Sequence, residues 1–344
     1  MTERITLLPD KLPMFFKEKA SNFCLLIPPS LNGLIDINQC QTYANFFVKI
    51  LPPNVVLDEF VKHIEDDTDI LFIPYQSPLV DCYPVDGNLK PNQRFVDVLV
   101  NLQTPVNFQT LEHILNNIYC TSVEQLEHST DIFFDALSTA DHLIFTNKLY
   151  GTSATLFFRE DYLWSENIGL VLKGESIRAP YGEIALVSTL LQDDIIPCLE
   201  MKGEIVFDST VILHLFAFEK SFLDEQHNMY HSLAEIYKNP VKIYINNGIV
   251  EKVIPLTQNN QTALALEQFF SHDPQLRKVI EVGFGINKNI QLLPENLAAS
   301  EPYGGLNNCL HLGFGSRKLN YHLDILCPQT TTLTDQGLLL AGVK

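Results

Sequence analysis

The alternation of apolar and polar positions changes character near residue 150. Before it, compact apolar runs alternate with longer stretches of helical spacing. Residues 22–28, 69–74, 95–100 and 141–146 are short runs rich in Leu, Ile, Val and Phe, as expected of strands buried on both faces. Residues 38–51, 59–66, 111–118 and 124–137 carry apolar side chains at helical intervals, and Pro52-Pro53 closes the first of them. Residues 75–94, with Pro78, Pro84, Gly87 and Pro91, read as a loop. Strands alternating with helices predict an open, largely parallel α/β sheet.

From Gly151 the runs become short strands, at 153–159, 169–173, 184–186, 204–207, 211–216 and 242–253. The last is the strongest hairpin signal, because Asn247-Gly248 between two alternating runs favours a type I′ turn. Residues 262–270 have the Ala and Leu spacing of a helix. The pattern predicts an α/β protein of two domains: an N-terminal open α/β sheet over 1–150, then a β-rich α+β domain over 151–344 that carries the site.

Composition narrows the function classes. A chain of 344 residues with 46% hydrophobic content can build two cores. A formal charge of −18 argues against a nucleic-acid partner, which needs a basic footprint, and fits cations, amines or small neutral molecules. No apolar run is long enough to span a membrane, and no basic, apolar N-terminal stretch reads as a signal peptide. The seven cysteines are scattered and form no C-x-x-C pair, which predicts thiols in a reducing cytoplasm. The nucleotide fingerprints G-x-G-x-x-G and G-x-x-x-x-G-K-[ST] and the nucleophile elbow G-x-S-x-G do not occur. Glu65-Asp66-Asp67 reads as a solvated helix end, and His63, His113 and His128 as surface or capping histidines.

Candidate chemistry gathers between residues 281 and 324. Glu281-Val282-Gly283-Phe284-Gly285 is repeated thirty residues later as His311-Leu312-Gly313-Phe314-Gly315. In each copy a metal-competent side chain precedes Gly-Phe-Gly on a strand, and glycine at i+2 leaves the space beside it open. Tyr321-His322-Leu323-Asp324 alternates as a strand with His322 and Asp324 on one face. Mixed imidazole and carboxylate donors suit zinc, iron, manganese or cobalt and point to an open catalytic site. Upstream, Tyr181-Gly182-Glu183-Ile184 places a carboxylate where a turn opens into a strand.

In order, Ala179-Pro180-Tyr181-Gly182-Glu183-Ile184, Glu281-x-Gly-x-Gly with Asn287, His311-x-Gly-x-Gly and His322-x-Asp324 resemble the thermophilic metallo-aminopeptidase family of the aminopeptidase T and aminopeptidase S type. That family's pattern runs P-x-G-E-V, G-E-x-G-x-G-x-N, H-x-A-x-G and H-x-D. The likeness covers about residues 150–326. It implies a metallopeptidase-like C-terminal domain, a homodimer, and five ligands for divalent zinc, cobalt or manganese at Glu183, Glu281, His311, His322 and Asp324. It also implies that a carboxylate, here Glu183, acts as general base toward a peptide or amino-acid-derived substrate. The sequence departs from the family at its catalytic Tyr, where Lys318 stands, with Tyr321 the nearby candidate to replace it. The step from His311 to Asp324 is 13 residues, shorter than in the peptidases.

Three functions therefore compete. The first is a metal-dependent, aminopeptidase-like hydrolase. The second is an iron-dependent enzyme similar to the ring-opening 2,5-dihydroxypyridine dioxygenases, whose fold resembles that of the peptidases. The third is a non-peptidase relative serving as an accessory protein in peptide natural-product biosynthesis.

Overall fold

The computed structural model describes residues 4–17, 19–52, 55–74, 88–100, 107–188, 197–215, 220–293 and 296–343. In chain order its first elements are β1 (Ile5–Leu7), β2 (Asn22–Ile27), β3 (Ile35–Ile37), β4 (Asn45–Ile50), α1 (Leu57–Val61), β5 (Thr68–Phe72), β6 (Arg94–Val98), α2 (Phe108–Cys120) and α3 (Val123–Leu137). There follow β7 (His142–Asn147), β8 (Thr152–Phe157), β9 (Tyr162–Asn167), β10 (Ser176–Ala179), β11 (Glu183–Ser188), β12 (Met201–Phe207), β13 (Val211–Leu215) and α4 (Lys220–Leu233). The last are β14 (Val241–Asn246), β15 (Ile249–Pro255), α5 (Gln261–His272), β16 (Val279–Gly285), β17 (Cys309–Ser316), β18 (Tyr321–Cys327), β19 (Thr331–Thr334) and β20 (Leu339–Ala341). Two compact units form, residues 1–125 with 167–181 and residues 126–166 with 182–344, whereas the hydrophobic pattern placed a single boundary near residue 150. Among the described residues no helix is long and apolar enough to cross a membrane.

The first unit is built on a five-stranded sheet in the order β10-β6-β5-β2-β4, with every neighbouring pair parallel. Its strands β5 and β6 are buried along their whole length, with Ile70, Leu71, Phe72, Phe95, Val96 and Val98 as their apolar part and Asp69, Arg94 and Asp97 as buried charged groups. Helix α2 starts at Asn107, whose side chain accepts from the Thr110 N–H and satisfies one of the free amides of the first turn. A buried bidentate pair braces the sheet: Arg94 Nε and Nη2 each lie 2.7 Å from a different oxygen of Asp69. The Tyr43 hydroxyl donates to the same carboxylate at 2.9 Å.

Four expectations from the sequence are revised. Residues 45–50, expected within a helix, form β4, because Phe46, Phe47, Val48 and Ile50 favour a strand once β2 offers a partner. The helix expected over 59–66 is one turn, α1. Strand β7, expected in the parallel sheet, instead pairs antiparallel with β8, since the short link 148–151 brings β8 back beside it. Residues 169–173 form no strand, and pairing with β6 begins at Ser176. The loop expected over 75–94 falls largely on 75–87, outside the described residues.

The second unit holds a six-stranded sheet, β13-β18-β17-β16-β11-β9, and a seven-stranded sheet, β15-β14-β12-β8-β7-β19-β20. The expected hairpin is β14–β15, and Asn247 (φ 50°) and Gly248 (φ 75°) both take the left-handed conformation that a type I′ turn needs. The core forms on one face of the six-stranded sheet. Phe314 meets Phe207 of β12 and Phe270 of α5, while Phe284 meets Phe133 of α3 and Trp164 of β9. That leaves the opposite face of β16, β17 and β18 for polar side chains.

In the first unit, Asp97 Oδ1 is buried with no hydrogen-bond partner. Burial pushes its carboxyl up to about 8, against the opposing charge of Arg178. The folded state therefore keeps a proton that the unfolded chain releases near pH ~4. Stability from this group is fully present below that pH and is lost as pH rises toward about 8. The neutral isostere Asp97→Asn should match the wild type near pH 4 and unfold roughly 2–4 °C higher at pH 8, as read by thermal denaturation at both pH values.

Candidate metal centre

Strand alternation and glycine build this site together. On β16, Glu281, Gly283 and Gly285 share a face opposite Val282 and Phe284; on β17, His311, Gly313 and Gly315 share one opposite Leu312 and Phe314. The antiparallel register then sets a glycine of the next strand opposite each of the five expected ligands. Glu183 lies opposite Gly285, His311 opposite Gly283, His322 opposite Gly315, and Glu281 and Asp324 flank Gly313 from either side. At Gly283 and Gly313 a side chain would occupy the space the ligands use, whereas at Gly285 and Gly315 it would meet neighbouring backbone. A Cβ on Gly283 would sit 1.9 Å from His311 Nε2, and one on Gly313 would sit 2.8 Å from Asp324 Oδ1. A register irregularity between Val279 and Glu281 re-aims β16 just before its carboxylate.

The five residues consequently converge. His311 Nε2 lies 3.0 Å from Glu183 Oε1 and 3.7 Å from Glu281 Oε1. His322 Nε2 lies 3.5 Å from Glu281 Oε2 and 3.1 Å from Asp324 Oδ2. Two groups of three result, Glu183, Glu281 and His311 beside His214, His322 and Asp324, and within each the donor atoms all lie within 4.8 Å of one another. His322 Nδ1 lies 3.3 Å from the Gly315 carbonyl; donating there fixes the ring and turns Nε2 toward the carboxylates.

Two members were not expected from the sequence. His214 of β13 places Nε2 2.8 Å from Asp324 Oδ2 and 2.7 Å from Glu301 Oε1. The available signal was a lone histidine in the otherwise apolar run Val211-Ile212-Leu213-His214-Leu215. β13 is an edge strand, and Asn296 holds its free side by donating to and accepting from the Leu213 backbone, both at 2.8 Å. Glu301 arrives from an irregular segment. Asn287 ties that segment down, its N–H donating to the Pro302 carbonyl and its carbonyl accepting from Gly304. Gly285 and Gly304 allow the close approach, since a Cβ on Gly285 would stand 2.7 Å from the Glu301 carbonyl oxygen. Nothing local in the sequence marks Glu301.

Two expected catalytic residues are not brought in. Tyr321 shares the strand face of Leu323 and Ile325, away from His322 and Asp324. Its ring stacks on His272, and its hydroxyl lies 3.2 Å from Glu225. Lys318 is exposed on the turn between β17 and β18. His63 and His128 are exposed, and His113 lies half-buried beside Asn117.

Electrostatically the cluster is four carboxylates facing three imidazoles. Burial opposes charge on His214 and His322, but the carboxylates outweigh it: Glu301 and Asp324 push His214 up to about 10, and Asp324 pushes His322 up to about 9. For His311 burial also opposes the charge, and Glu183 and Glu281 drive it well above the usual histidine range. Burial raises Glu183 to about 7. Asp324 is held below the usual carboxylate range, because His322 and His214 overcome its burial.

This donor set fits a divalent cation. Asp324 Oδ1 and His311 Nδ1 are buried without a hydrogen-bond partner. Each such atom costs about 1–3 kcal/mol unless something satisfies it, and a cation does so for oxygen and imidazole nitrogen alike.

No protein-family model matches the chain, and no curated protein matches it in sequence. Among solved structures, 2,5-dihydroxypyridine dioxygenase from Pseudomonas putida matches at a TM-score of 0.53 and 11% identity, over 94% of this chain and 92% of that one. AmpT from Thermus thermophilus matches at a TM-score of 0.44 and 12% identity, over 94% and 93%. At 11% identity the first likeness is one of fold.

Gly283→Ala tests the packing rule directly. The added methyl must displace the His311 ring, and the variant should lose about 1–3 kcal/mol in urea denaturation. Gly169→Ala, a control whose Cβ meets nothing within 4 Å and whose φ is not positive, should lose less.

Proposed function

We propose that the chain is a divalent-metal-dependent hydrolase that cleaves a peptide or amide bond in a peptide or other amino-acid derivative, with zinc, cobalt or manganese. One observation carries the reading. The two oxygens of Glu281 face different histidines, Oε1 toward His311 at 3.7 Å and Oε2 toward His322 at 3.5 Å, so a carboxylate of one three-donor group also reaches toward the other. Glu183, Glu281 and His311 would hold one ion, and His322 and Asp324, with Glu281 in common, the other. When bound, such ions supply an activated water and polarise the scissile carbonyl.

The remaining work falls to the chain. Glu183 Oε1, beside His311, is assigned to take the proton that the attacking water gives up and to pass it to the leaving amine. The strands beneath the cluster bury Asp324 and leave Glu183 and Glu281 only 16% and 18% exposed, which strengthens the charge interactions among them. With Tyr321 turned away and Lys318 in solvent, no side chain of the 317–321 turn is given a catalytic role. The acidic surface suits a substrate with a free amine. The sequence resemblance and the free thiols support the rest of the proposal, a cytoplasmic homodimer.

A second reading has its own observation. His214, His322 and Asp324 offer two imidazoles and one carboxylate, a donor set that suits mononuclear Fe(II) oxygen chemistry. A solved structure of similar fold is named as a 2,5-dihydroxypyridine dioxygenase.

Metal analysis of protein purified without chelator separates the two. About two zinc, cobalt or manganese ions per chain, with hydrolysis of amino-acid amides or dipeptides that drops more than about 100-fold in Glu281→Gln, is the expected result. About one iron per chain and substrate-dependent oxygen uptake would replace the hydrolase with the oxygenase.

A further inference from the structure

The two halves of the cluster are chemically unlike. One offers two carboxylates and one imidazole, Glu183, Glu281 and His311; the other offers two imidazoles and one carboxylate, His214, His322 and Asp324. The five-ligand reading leaves the second half with only His322 and Asp324 as donors of its own. His214 supplies what is missing. It is 7% exposed, stands directly opposite His322 in the β13–β18 register, and brings its ring centroid to 4.9 Å from that of His322. Its Nε2 and that of His322 converge on the same atom, Asp324 Oδ2, at 2.8 and 3.1 Å. Those separations are somewhat shorter than the roughly 3.3–3.6 Å between donors held tetrahedrally around one ion, so a bound ion would draw the three groups slightly apart.

The surroundings also aim at this half. Glu301 Oε1 lies 2.7 Å from His214 Nε2, and Asp324 Oδ1 is buried without a hydrogen-bond partner. The strand that carries His214 is fastened at the preceding residue by the two Asn296 hydrogen bonds, so the imidazole sits on a fixed backbone although β13 is an edge strand.

We infer that His214 is a sixth metal ligand, completing with His322 and Asp324 a nitrogen-rich site that retains its ion, while Glu183, Glu281 and His311 form an oxygen-rich site whose ion exchanges. Imidazole binds borderline ions such as Zn²⁺ more firmly than carboxylate does, and carboxylate-rich sites hold hard ions such as Mn²⁺ in faster exchange. The inference rests on the two-ion reading above and assigns the ions unequal roles.

Calorimetric titration of the chelator-stripped full chain with Zn²⁺ tests it. Two steps are expected, separated by at least tenfold in affinity. His214→Ala should weaken the tight step by more than about 100-fold and leave the weak step in place. Glu183→Gln should do the reverse, and its retained tight step serves as the folded control should the histidine variant unfold, as judged by circular dichroism. In wild type, Mn²⁺ should exchange into the weak site while one Zn²⁺ stays bound through dialysis. Two Zn²⁺ bound by His214→Ala as in wild type would overturn the assignment of His214 and leave the two-ion hydrolase standing. Two steps of equal affinity would overturn the division into unlike sites. Failure of the wild type to bind Zn²⁺ would overturn both readings.

Discussion

Four carboxylates, Glu183, Glu281, Glu301 and Asp324, share one buried polar face with three imidazoles, His214, His311 and His322. Such a gathering of charge at low dielectric is unfavourable unless each group meets an opposite partner at close range. Much of the second unit can be read as the means of achieving that. Apolar residues on the reverse face of the same strands, Phe284 and Phe314 among them, pack into the core and fix the strand positions. Glycines on the polar face keep the space above the backbone clear. Six of the seven residues stand on strands or strand ends; Glu301 alone depends on an irregular segment, and that segment is tied down through Asn287.

The Gly-Phe-Gly repeat is therefore a packing device as well as a motif. In each copy the phenylalanine goes to the core and the flanking glycines lie beneath ligands contributed by the neighbouring strand. The two copies serve each other: Gly283 makes room for His311, and Gly313 makes room for Glu281. The same Gly313 also admits Asp324 from the other side, which places one glycine between the two halves of the cluster. Substitution at any of these positions acts on the site through volume and without altering a ligand.

The asymmetry of the cluster links its geometry to chemistry. Glu183, Glu281 and His311 form an oxygen-rich group, His214, His322 and Asp324 a nitrogen-rich one, and Glu281 reaches toward both. Hydrolysis and iron-dependent oxygenation ask different things of such donors, shared carboxylates in one case and a compact pair of imidazoles with one carboxylate in the other. The shared face offers both, so the balance depends on which ions occupy it.

The sequence by itself determined the parts of this architecture that rest on local periodicity. The Asn247-Gly248 hairpin, helices α2, α3 and α5, and the faces of β16, β17 and β18 follow from side-chain alternation and turn chemistry over a few residues. That is why Glu281, His311, His322 and Asp324 were legible as a group, with Glu183 added through the family likeness. Tertiary structure decided the rest. Residues 45–50 became a strand because β2 offered an edge, and β7 joined the antiparallel sheet because β8 folded back beside it. Tyr321 was excluded by strand parity, one residue before His322 and on the opposite face. His214 and Glu301 lie 110 and 23 residues from Asp324 in sequence, and only the β13–β18 pairing and the Asn287-tethered segment bring them to it. Neighbours along the chain carry no trace of a contact made by strand pairing at that distance.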